Sequence, residues 1–209
     1  MKVGVIDYGV GNLGSVLRAI QELSFNAILL EQATEICSVD RIILPGVGNF
    51  SDCMKLLKAG DWTTALNDAI YCYDRSLLGV CLGMQLLADN SNEGSVSGFT
   101  NGLGFIPGQV RPLSSLGCTL RLPHVGWNDV KCSKKQDCLF TGIADGTDFY
   151  FVHSYALTST DKNHVIATTQ YGVEFPVAVR NGQIWGTQFH PEKSSRAGIR
   201  LLRNFLMEH

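Results

Sequence analysis

The stretch LLGVCLGMQLL, residues 77–87, changes from an extended apolar run to a helix-like pattern at a cysteine between two glycines. The G-x-C-x-G spacing of Gly79, Cys81 and Gly83 has the form of a nucleophile elbow, a tight strand–turn–helix with a strained central residue. Small residues on either side allow neighbouring backbone to approach closely. The stretch therefore predicts a buried strand that turns directly into a helix.

The same succession of strand, glycine-bearing turn and helix continues through the first 90 residues. Helical spacing of apolar residues covers 13–24, 51–59 and 61–74. The strand candidates before residue 77 are KVGVID (2–7), AILLE (27–31) and RIILPG (41–46). This alternation predicts an α/β fold with a doubly wound, largely parallel central sheet flanked by helices.

The second half consists of short strand candidates separated by turn residues, and it predicts an antiparallel extension of the sheet. The candidates are GQVRPL (108–113), CTLRL (118–122), NDVKC (128–132), DFYFVHSY (148–155), HVIATTQ (164–170), PVAVRN (176–181) and QIWGTQF (183–189). An amphipathic helix follows Ser194 and Ser195. Because no repeat or linker interrupts the chain, a single domain over residues 1–209 is predicted.

The composition indicates a folded chain with a sizeable core. Hydrophobic residues make up 45% of the 209 residues and charged residues 17%, with a net charge of −2. The sequence has no basic stripe, so nucleic acid is not an expected partner. The Lys134–Lys135 pair is interpreted as a solvated turn. No stretch approaches the roughly 18 apolar residues of a membrane span, so no membrane partner is expected.

The cysteines point to a reducing compartment. There are seven, an odd number, without a C-x-x-C pair or a zinc-type spacing. No metal or cofactor is therefore expected. The sequence MKVGVIDYG passes straight into a strand pattern without a signal-peptide segment, and we expect a cytoplasmic protein.

Cys81 would stand at the N-terminus of the predicted helix, where free N–H groups and the positive end of the dipole favour a thiolate. The N–H group of Leu82 would point toward a developing oxyanion. A thiol nucleophile also needs a base with an orienting partner. Of the histidines, His124, His153 and His190 are candidates.

The segment TQFHPEKSS favours His190 as this base, because residues two apart in an extended chain project to the same side. Glu192 would then accept a hydrogen bond from the His190 ring and fix its tautomer. Two structural alternatives to this catalytic interpretation remain. Cys81 could be a core cysteine with two packing glycines, and the His-Pro-Glu segment could be a capped turn before a helix.

The glycine-rich segment LPGVGNF, residues 44–50, follows a strand at the position where doubly wound sheets bind ligands. The N–H groups of Val47 and Gly48 would supply a second oxyanion donor. The segment lacks the lysine and the hydroxyl-bearing residue of a phosphate-binding P-loop. YGVGNLG (8–14), with Glu31 further on, suggests a dinucleotide site as an alternative. That alternative leaves the cysteine, histidine and glutamate pattern unexplained.

PGVGNF, GVCLGMQLL, PHVGWN, YFVHSY and QFHPEKSS, in this order, closely resemble the glutaminase subunits of imidazole glycerol phosphate synthase. These are class I (triad-type) glutamine amidotransferases of histidine biosynthesis, and the resemblance spans nearly the whole chain. It implies hydrolysis of L-glutamine by a triad of Cys81, His190 and Glu192. It also implies a (β/α)8-barrel cyclase partner, which receives ammonia through an internal channel and forms imidazole glycerol phosphate and AICAR.

The resemblance also implies binding residues. Glutamine would be held by Gly48, Gln85, Glu93, His153, Ser154 and Tyr155, the last three mainly through their backbone. The cyclase would dock on Asn12, Trp127, Asn128, Tyr150 and Lys193. Without the resemblance, Gln85 and Glu93 would be interpreted as helix-surface residues, and Trp127 as a possible core aromatic.

Two interpretations remain open beside this one. A paralogous glutaminase could feed ammonia to a different synthase, such as a sugar-modifying enzyme. A non-catalytic docking module could retain the same fold. Within the glutaminase interpretation, we hypothesise that the loop at 46–49 flips between donor-absent and donor-present states when the partner binds.

Overall fold

The structure is a computed structural model that describes residues 1–96, 98–133, 137–159 and 161–208. Lys134 and Lys135, interpreted above as a solvated turn, lie outside the described residues. Within the described ranges, no helix is both long and apolar enough to cross a membrane.

The regular elements follow the predicted alternation of strands and helices through the first half of the chain. In chain order they are β1 (Lys2–Ile6), α1 (Leu13–Glu22), β2 (Asn26–Leu30), β3 (Arg41–Gly46), α2 (Phe50–Ala59), α3 (Trp62–Tyr71), β4 (Ser76–Cys81), α4 (Leu82–Leu86), β5 (Ala88–Ser91), β6 (Thr100–Asn101), β7 (Ile106–Pro112), β8 (His124–Cys132), β9 (Thr147–His153), β10 (Tyr155–Ser159), β11 (Val165–Tyr171), β12 (Val173–Asn181), β13 (Ile184–Thr187) and α5 (Ser195–Met207).

The main sheet has a parallel half and an antiparallel half. Over the described residues it contains nine strands in the order β2-β1-β3-β4-β13-β12-β11-β8-β9. The strands from β2 to β13 pair in parallel, and those from β13 to β9 pair antiparallel. The predicted α/β fold, with a largely parallel centre and an antiparallel extension, is confirmed.

Helices cover both faces of the parallel half because its strands are apolar on both sides. On β3, Ile43 packs into the core beneath α1 and α5, whereas Ile42 and Leu44 pack into the core beneath α2 and α3. All three side chains are fully buried. Period-2 alternation in a continuous apolar run thus supplies both cores.

A second sheet, which the sequence does not predict, lies beside the main one. In the described part of the chain its four strands have the order β10-β7-β5-β6. The prediction that GQVRPL joins the antiparallel extension is wrong, since β7 pairs with β10 and β5 instead. The predicted strand DFYFVHSY is in fact two strands in different sheets, and the chain crosses between them at Ser154.

The predicted strand CTLRL is also wrong, because residues 118–122 form no strand. Gly117, with a left-handed φ of +101°, turns the chain immediately before this segment. Pro123 follows it and lacks the N–H group that a ladder needs. Isolated contacts hold the segment instead, such as the bond from the Tyr171 hydroxyl to the Arg121 carbonyl.

The topology brings the chemically interesting segments to one edge of the sheet. Parallel β3 and β4 end side by side, with Gly46 paired to Cys81. The segment with His190 follows β13, which is the other neighbour of β4. Crevices at the carboxyl ends of parallel strands are the usual ligand sites of such folds.

Candidate active site

The turn at Cys81 has the geometry of an elbow. Cys81 is held at φ +56° and ψ −112°, between the end of β4 and the start of α4. A Cβ atom on Gly83 would lie 1.9 Å from the Leu44 carbonyl oxygen, and one on Gly79 would lie 2.6 Å from the Gly83 oxygen. Only glycines allow the helix to pack so close to β3 and β4. The predicted strained strand–turn–helix is confirmed.

Cys81 lies in a cavity of about 290 Å³ at the carboxyl edge of the sheet. All the residues predicted to contact glutamine line this cavity, together with the predicted oxyanion residues and His190. The lining consists of Val47, Gly48, Cys81, Leu82, Gln85, Glu93, Val152, His153, Ser154, Tyr155 and His190. Residues far apart in sequence are therefore brought together as the resemblance implies.

His190 and Glu192 form a buried pair. His190 Nδ1 lies 2.8 Å from Glu192 Oε1, and their side chains are only 3% and 1% exposed. Burial alone would lower the pKa of His190, but the neighbouring Cys81 thiol and the Glu192 carboxylate raise it to about 9. The pair can therefore hold a proton on the imidazole at neutral pH.

The contact between the thiol and the imidazole is looser than the one between the imidazole and the carboxylate. His190 Nε2 is buried and has no hydrogen bond of good geometry to any described residue. Cys81 is nevertheless close enough to influence the charge of the ring. Such contacts are often long in a site without substrate and tighten when the substrate binds.

The other two candidate histidines, His124 and His153, pair with each other. His124 Nδ1 lies 3.0 Å from His153 Nε2. Burial lowers the pKa of both rings, to about 4 for His124 and about 3 for His153. Of the candidate bases, His190 is the one next to both a thiol and a carboxylate.

Gln85 is buried at the floor of the cavity rather than lying on a helix surface. Its side chain is 3% exposed, and its Nε2 donates to the Tyr155 carbonyl and to Gln188 Oε1, both at 2.9 Å. Gln188 Nε2 in turn lies 3.9 Å from Cys81 Sγ. The sequence analysis missed Gln188, although a glutamine inside the apolar run QIWGTQF is a polar residue at the end of a buried strand.

Glu93 follows β5 in a turn, so the interpretation of this residue as helix surface is wrong. Its Oε2 accepts a hydrogen bond from the Phe50 backbone N–H at 3.0 Å. Burial raises the pKa of the carboxyl group, while the Phe50 hydrogen bond opposes this effect. A half-buried carboxylate in the cavity wall suits a cationic group of a ligand.

Two side chains that the sequence analysis missed hold the glycine-rich loop. The Tyr8 hydroxyl donates to the Pro45 carbonyl at 3.0 Å, and the Cys53 thiol donates to the Val47 carbonyl at 3.4 Å. Both side chains are buried. Gly48 takes a left-handed φ of +100°, which explains the glycine at this position. Leu82 is the first residue of α4, where N–H groups lack helical partners.

The predicted docking residues include an exposed aromatic surface beside the cavity. Trp127 is 54% exposed and contacts Tyr150 edge-on across β8 and β9, so the interpretation of Trp127 as a core residue is wrong. Val125 and Val152 on the same face are 55% and 37% exposed. Val152 also lines the cavity, so this apolar surface reaches the mouth of the site.

The remaining docking candidates differ in accessibility. Lys193 is exposed, and Asn12 is partly exposed at the start of α1. Asn128 turns its side chain away from the Trp127 face and bonds to the Gln170 carbonyl at 3.0 Å. Its role at an interface stays a prediction.

The comparisons with known proteins decide the family. Residues 4–209 match the model of the class-I glutamine amidotransferases. HisH subunits of imidazole glycerol phosphate synthase from Moorella thermoacetica and Halalkalibacterium halodurans are each 42% identical to the chain. Each alignment covers 97% of this chain, and 93% and 94% of the respective relatives. The chain belongs to the HisH family of class-I glutamine amidotransferases.

Solved structures at lower identity support the same amidotransferase fold. A glutamine amidotransferase crystal structure superposes with a TM-score of 0.74 at 21% identity, covering 98% of this chain and 96% of that one. The structure of PurLQS from Thermotoga maritima gives 0.76 at 17% identity, with coverages of 98% and 97%. The chain is thus an amidotransferase in both sequence and fold.

Because the pKa of His190 is raised in the folded chain, the free energy of unfolding should depend on pH. Below a pH of about 6.5 the ring is charged in both folded and unfolded chains, so its stabilising contribution is fully present. The contribution is lost as the pH rises to about 9, where the folded chain also releases the proton. Between these two pH values, we expect the unfolding free energy of the wild type to fall by up to about 3 kcal/mol more than that of His190→Asn. Urea unfolding at a series of pH values measures this difference. The same pH dependence of the unfolding free energy in the wild type and in His190→Asn would contradict the prediction.

Proposed function

We propose that the chain hydrolyses L-glutamine through Cys81, His190 and Glu192 and delivers the ammonia to a cyclase subunit. The observation that carries the proposal is the position of Cys81, at an elbow inside a cavity where a buried His–Glu pair meets it. Membership of the HisH family supports the same activity. Each residue below has a separate task in the reaction.

In the first step the Cys81 sulfur attacks the side-chain carbonyl of glutamine. A C–S bond forms, the carbonyl oxygen becomes an oxyanion, and the thiol proton is carried by His190. Backbone N–H groups of Leu82 and of the loop at Val47 and Gly48 stabilise the oxyanion. Each such donor contributes about 100- to 1,000-fold in rate.

Collapse of the oxyanion then breaks the C–N bond. His190 gives its proton to the leaving nitrogen, so ammonia departs and a glutamyl thioester remains on Cys81. In the second half His190 takes a proton from water, and the resulting hydroxide attacks the thioester. The C–S bond breaks, glutamate leaves, and His190 returns its proton to the sulfur, which regenerates the thiol. Glu192 holds the ring in the tautomer that these transfers require.

Glutamine recognition follows from the polarity of the cavity. The Glu93 carboxylate suits the α-ammonium group of the substrate. Both amide hydrogens of Gln85 are engaged with Tyr155 and Gln188, so its oxygen is the atom that it can offer to a substrate donor. Backbone groups at His153, Ser154 and Tyr155 suit the substrate carboxylate.

The partner we propose is a (β/α)8-barrel cyclase that docks on the face with Trp127, Tyr150 and Lys193. An exposed Trp–Tyr pair beside two exposed valines is the kind of aromatic anchor that protein interfaces use. The surface adjoins the cavity through Val152, so docking there would seal the site and give ammonia a protected exit.

A substitution in this face tests the partner. Trp127→Ala is expected to weaken binding of the cyclase by about 30-fold, because a central aromatic anchor is lost. Tyr73→Ala is the matched control: Tyr73 is 53% exposed but precedes β4, at the opposite end of the sheet. Isothermal titration with the purified cyclase measures both. An unchanged dissociation constant for Trp127→Ala would place the interface elsewhere.

The loop at 46–49 is the proposed switch between the partner and the chemistry. Tyr8 holds the carbonyl of Pro45 next to the loop, and Cys53 holds the carbonyl of Val47 within it, which gives the loop a defined resting position. If docking turns an N–H group toward the oxyanion, glutaminase activity should rise by about 100-fold or more. Glutamate release is measured for the chain alone and with the cyclase. Full turnover by the isolated chain, unchanged by the cyclase, would refute the switch.

The location and the acceptor complete the proposal. The cysteine pattern suits a reducing compartment, and we assign the chain to the cytoplasm. The triad identifies the ammonia donor and carries no information about the acceptor. A paralogous synthase remains the second candidate, and failure to bind or feed the cyclase would favour it.

A further inference from the structure

A continuous hydrogen-bond path links Asn128 on β8 to the floor of the glutamine cavity through two histidines. Asn128 Nδ2 lies 3.3 Å from His124 Nε2, and His124 Nδ1 lies 3.0 Å from His153 Nε2. His153 Nδ1 lies 2.8 Å from the Tyr155 carbonyl oxygen. That oxygen also accepts from Gln85, so the path ends at a residue of the substrate site.

The chemistry of the end groups fixes the direction of every bond. A carbonyl oxygen can only accept, so His153 must carry its proton on Nδ1. In a neutral ring His153 Nε2 is then an acceptor, and the proton in the contact with His124 must sit on His124 Nδ1. His124 Nε2 is left as an acceptor and receives an Asn128 amide hydrogen. The same tautomer, with the proton on Nδ1, follows for both rings.

The surroundings keep both rings neutral and in place. His124 is stacked between Phe151 and Tyr171, with ring centroids 4.8 Å and 4.0 Å away. The two histidines are 3% and 7% exposed. Burial lowers the pKa of each, and none of the described residues that hydrogen-bond to the two rings offers a carboxylate to balance the charge of a second proton.

The positions of His153 and Tyr155 in the two sheets show which part of the site the histidine pair can hold in place. His153 ends β9 in the main sheet, and Tyr155 begins β10 in the second sheet. The bond from His153 to the Tyr155 carbonyl therefore spans the crossing at Ser154, and Ser154 itself lines the cavity. His124 does not line the cavity, so it acts on the site only through His153.

We infer that His124 is a positioning residue for glutamine, which holds His153 in the Nδ1–H tautomer and thereby fixes the Tyr155 carbonyl and the Gln85 amide. This inference rests on the proposed function, since it concerns binding at the same site. The pair orients substrate contacts before glutamine arrives. It takes no part in the proton transfers at Cys81, which use His190.

Replacing His124 by phenylalanine keeps a flat ring between Phe151 and Tyr171 but removes the donor to His153. We expect KM for glutamine to rise about tenfold while kcat changes less than about twofold, because ground-state contacts are disordered and the nucleophile is not. His124→Asn places an amide near the former Nδ1 position, and it should recover most of the lost affinity.

The outcomes separate the inference from the proposed function. Absence of glutaminase activity in the wild type with the cyclase would refute the function itself. An active wild type together with an unchanged KM in His124→Phe, or a loss confined to kcat, would overturn the positioning role. A KM defect that His124→Asn does not rescue would also overturn it, since ring packing alone would then explain the loss.

A spectroscopic measurement covers the case in which His124→Phe does not fold. Long-range ¹H–¹⁵N spectra of the ¹⁵N-histidine-labelled wild type report the tautomer of each neutral ring. We expect two rings, assigned to His124 and His153, to carry the proton on Nδ1 at neutral pH. Free histidine prefers the other tautomer, so an Nε2–H signal from either ring would overturn the inference without any variant.

Discussion

Cys81→Ser is expected to lower the glutamine-dependent rate by about 10⁴-fold or more, the loss typical of removing a catalytic nucleophile. The serine hydroxyl is a far weaker acid than the thiol, so His190 cannot generate a comparable nucleophile from it. The substitution replaces one sulfur atom with oxygen and leaves the backbone of the elbow unchanged. Glutamate release in the presence of the cyclase measures the loss.

Two controls give this prediction its specificity. Supplied with ammonium instead of glutamine, Cys81→Ser together with the cyclase should form product at the wild-type rate, because the proposed acceptor site is on the partner. Cys72→Ser changes an exposed thiol at the end of α3 and should leave both activities unchanged. Retention of glutamine-dependent turnover by Cys81→Ser would remove Cys81 as the nucleophile.

Gly83→Ala is expected to damage both the fold and the site. The new Cβ atom would lie 1.9 Å from the Leu44 carbonyl oxygen, so α4 or β3 must move. We expect a loss of about 3 kcal/mol in unfolding free energy and a fall of roughly 6–12 °C in Tm. Displacing the elbow by about 1 Å should also cost about 100-fold in glutaminase rate.

Gly14→Ala is the matched control for this substitution. A Cβ atom on Gly14 would meet nothing within 4 Å, and the residue lies inside α1. Alanine there should stabilise the chain by about 0.5 kcal/mol through the unfolded state. If Gly83→Ala unfolds at the same urea concentration as Gly14→Ala, the close approach of α4 to β3 does not constrain the elbow.

The sequence predicts the parts of this structure that are encoded locally. The elbow at Gly79, Cys81 and Gly83 is recognisable because glycines at a strand–helix junction have a steric meaning. His190 and Glu192 are recognisable because they lie two residues apart after a strand, although the extended chain assumed for this pair is wrong, since Pro191–Lys193 form a short 3-10 helix. The first half of the fold follows from period-2 and helical spacing in short windows.

The parts that the sequence does not predict depend on long-range pairing. Nothing in GQVRPL indicates that β7 joins β10 and β5 rather than the main sheet, since the strand pattern is the same in either sheet. Tyr8, Cys53 and Gln188 acquire a role only when distant segments meet. The bond from Gln85 to Gln188 joins residues 103 positions apart. A local pattern can mark Gln188 as a polar residue in an apolar run, but it does not identify the distant residue that Gln188 contacts.

The central claim, that Cys81 carries a glutamyl thioester, is tested most directly by trapping that intermediate. The chain and the cyclase are mixed with isotopically labelled glutamine, quenched in acid during turnover, and digested for peptide mass spectrometry. The account predicts a labelled glutamyl group on the peptide with Cys81 and on no other cysteine peptide, and its absence in Cys81→Ser. A label on the Cys53 or Cys118 peptide, or steady turnover without any labelled cysteine, would contradict the account.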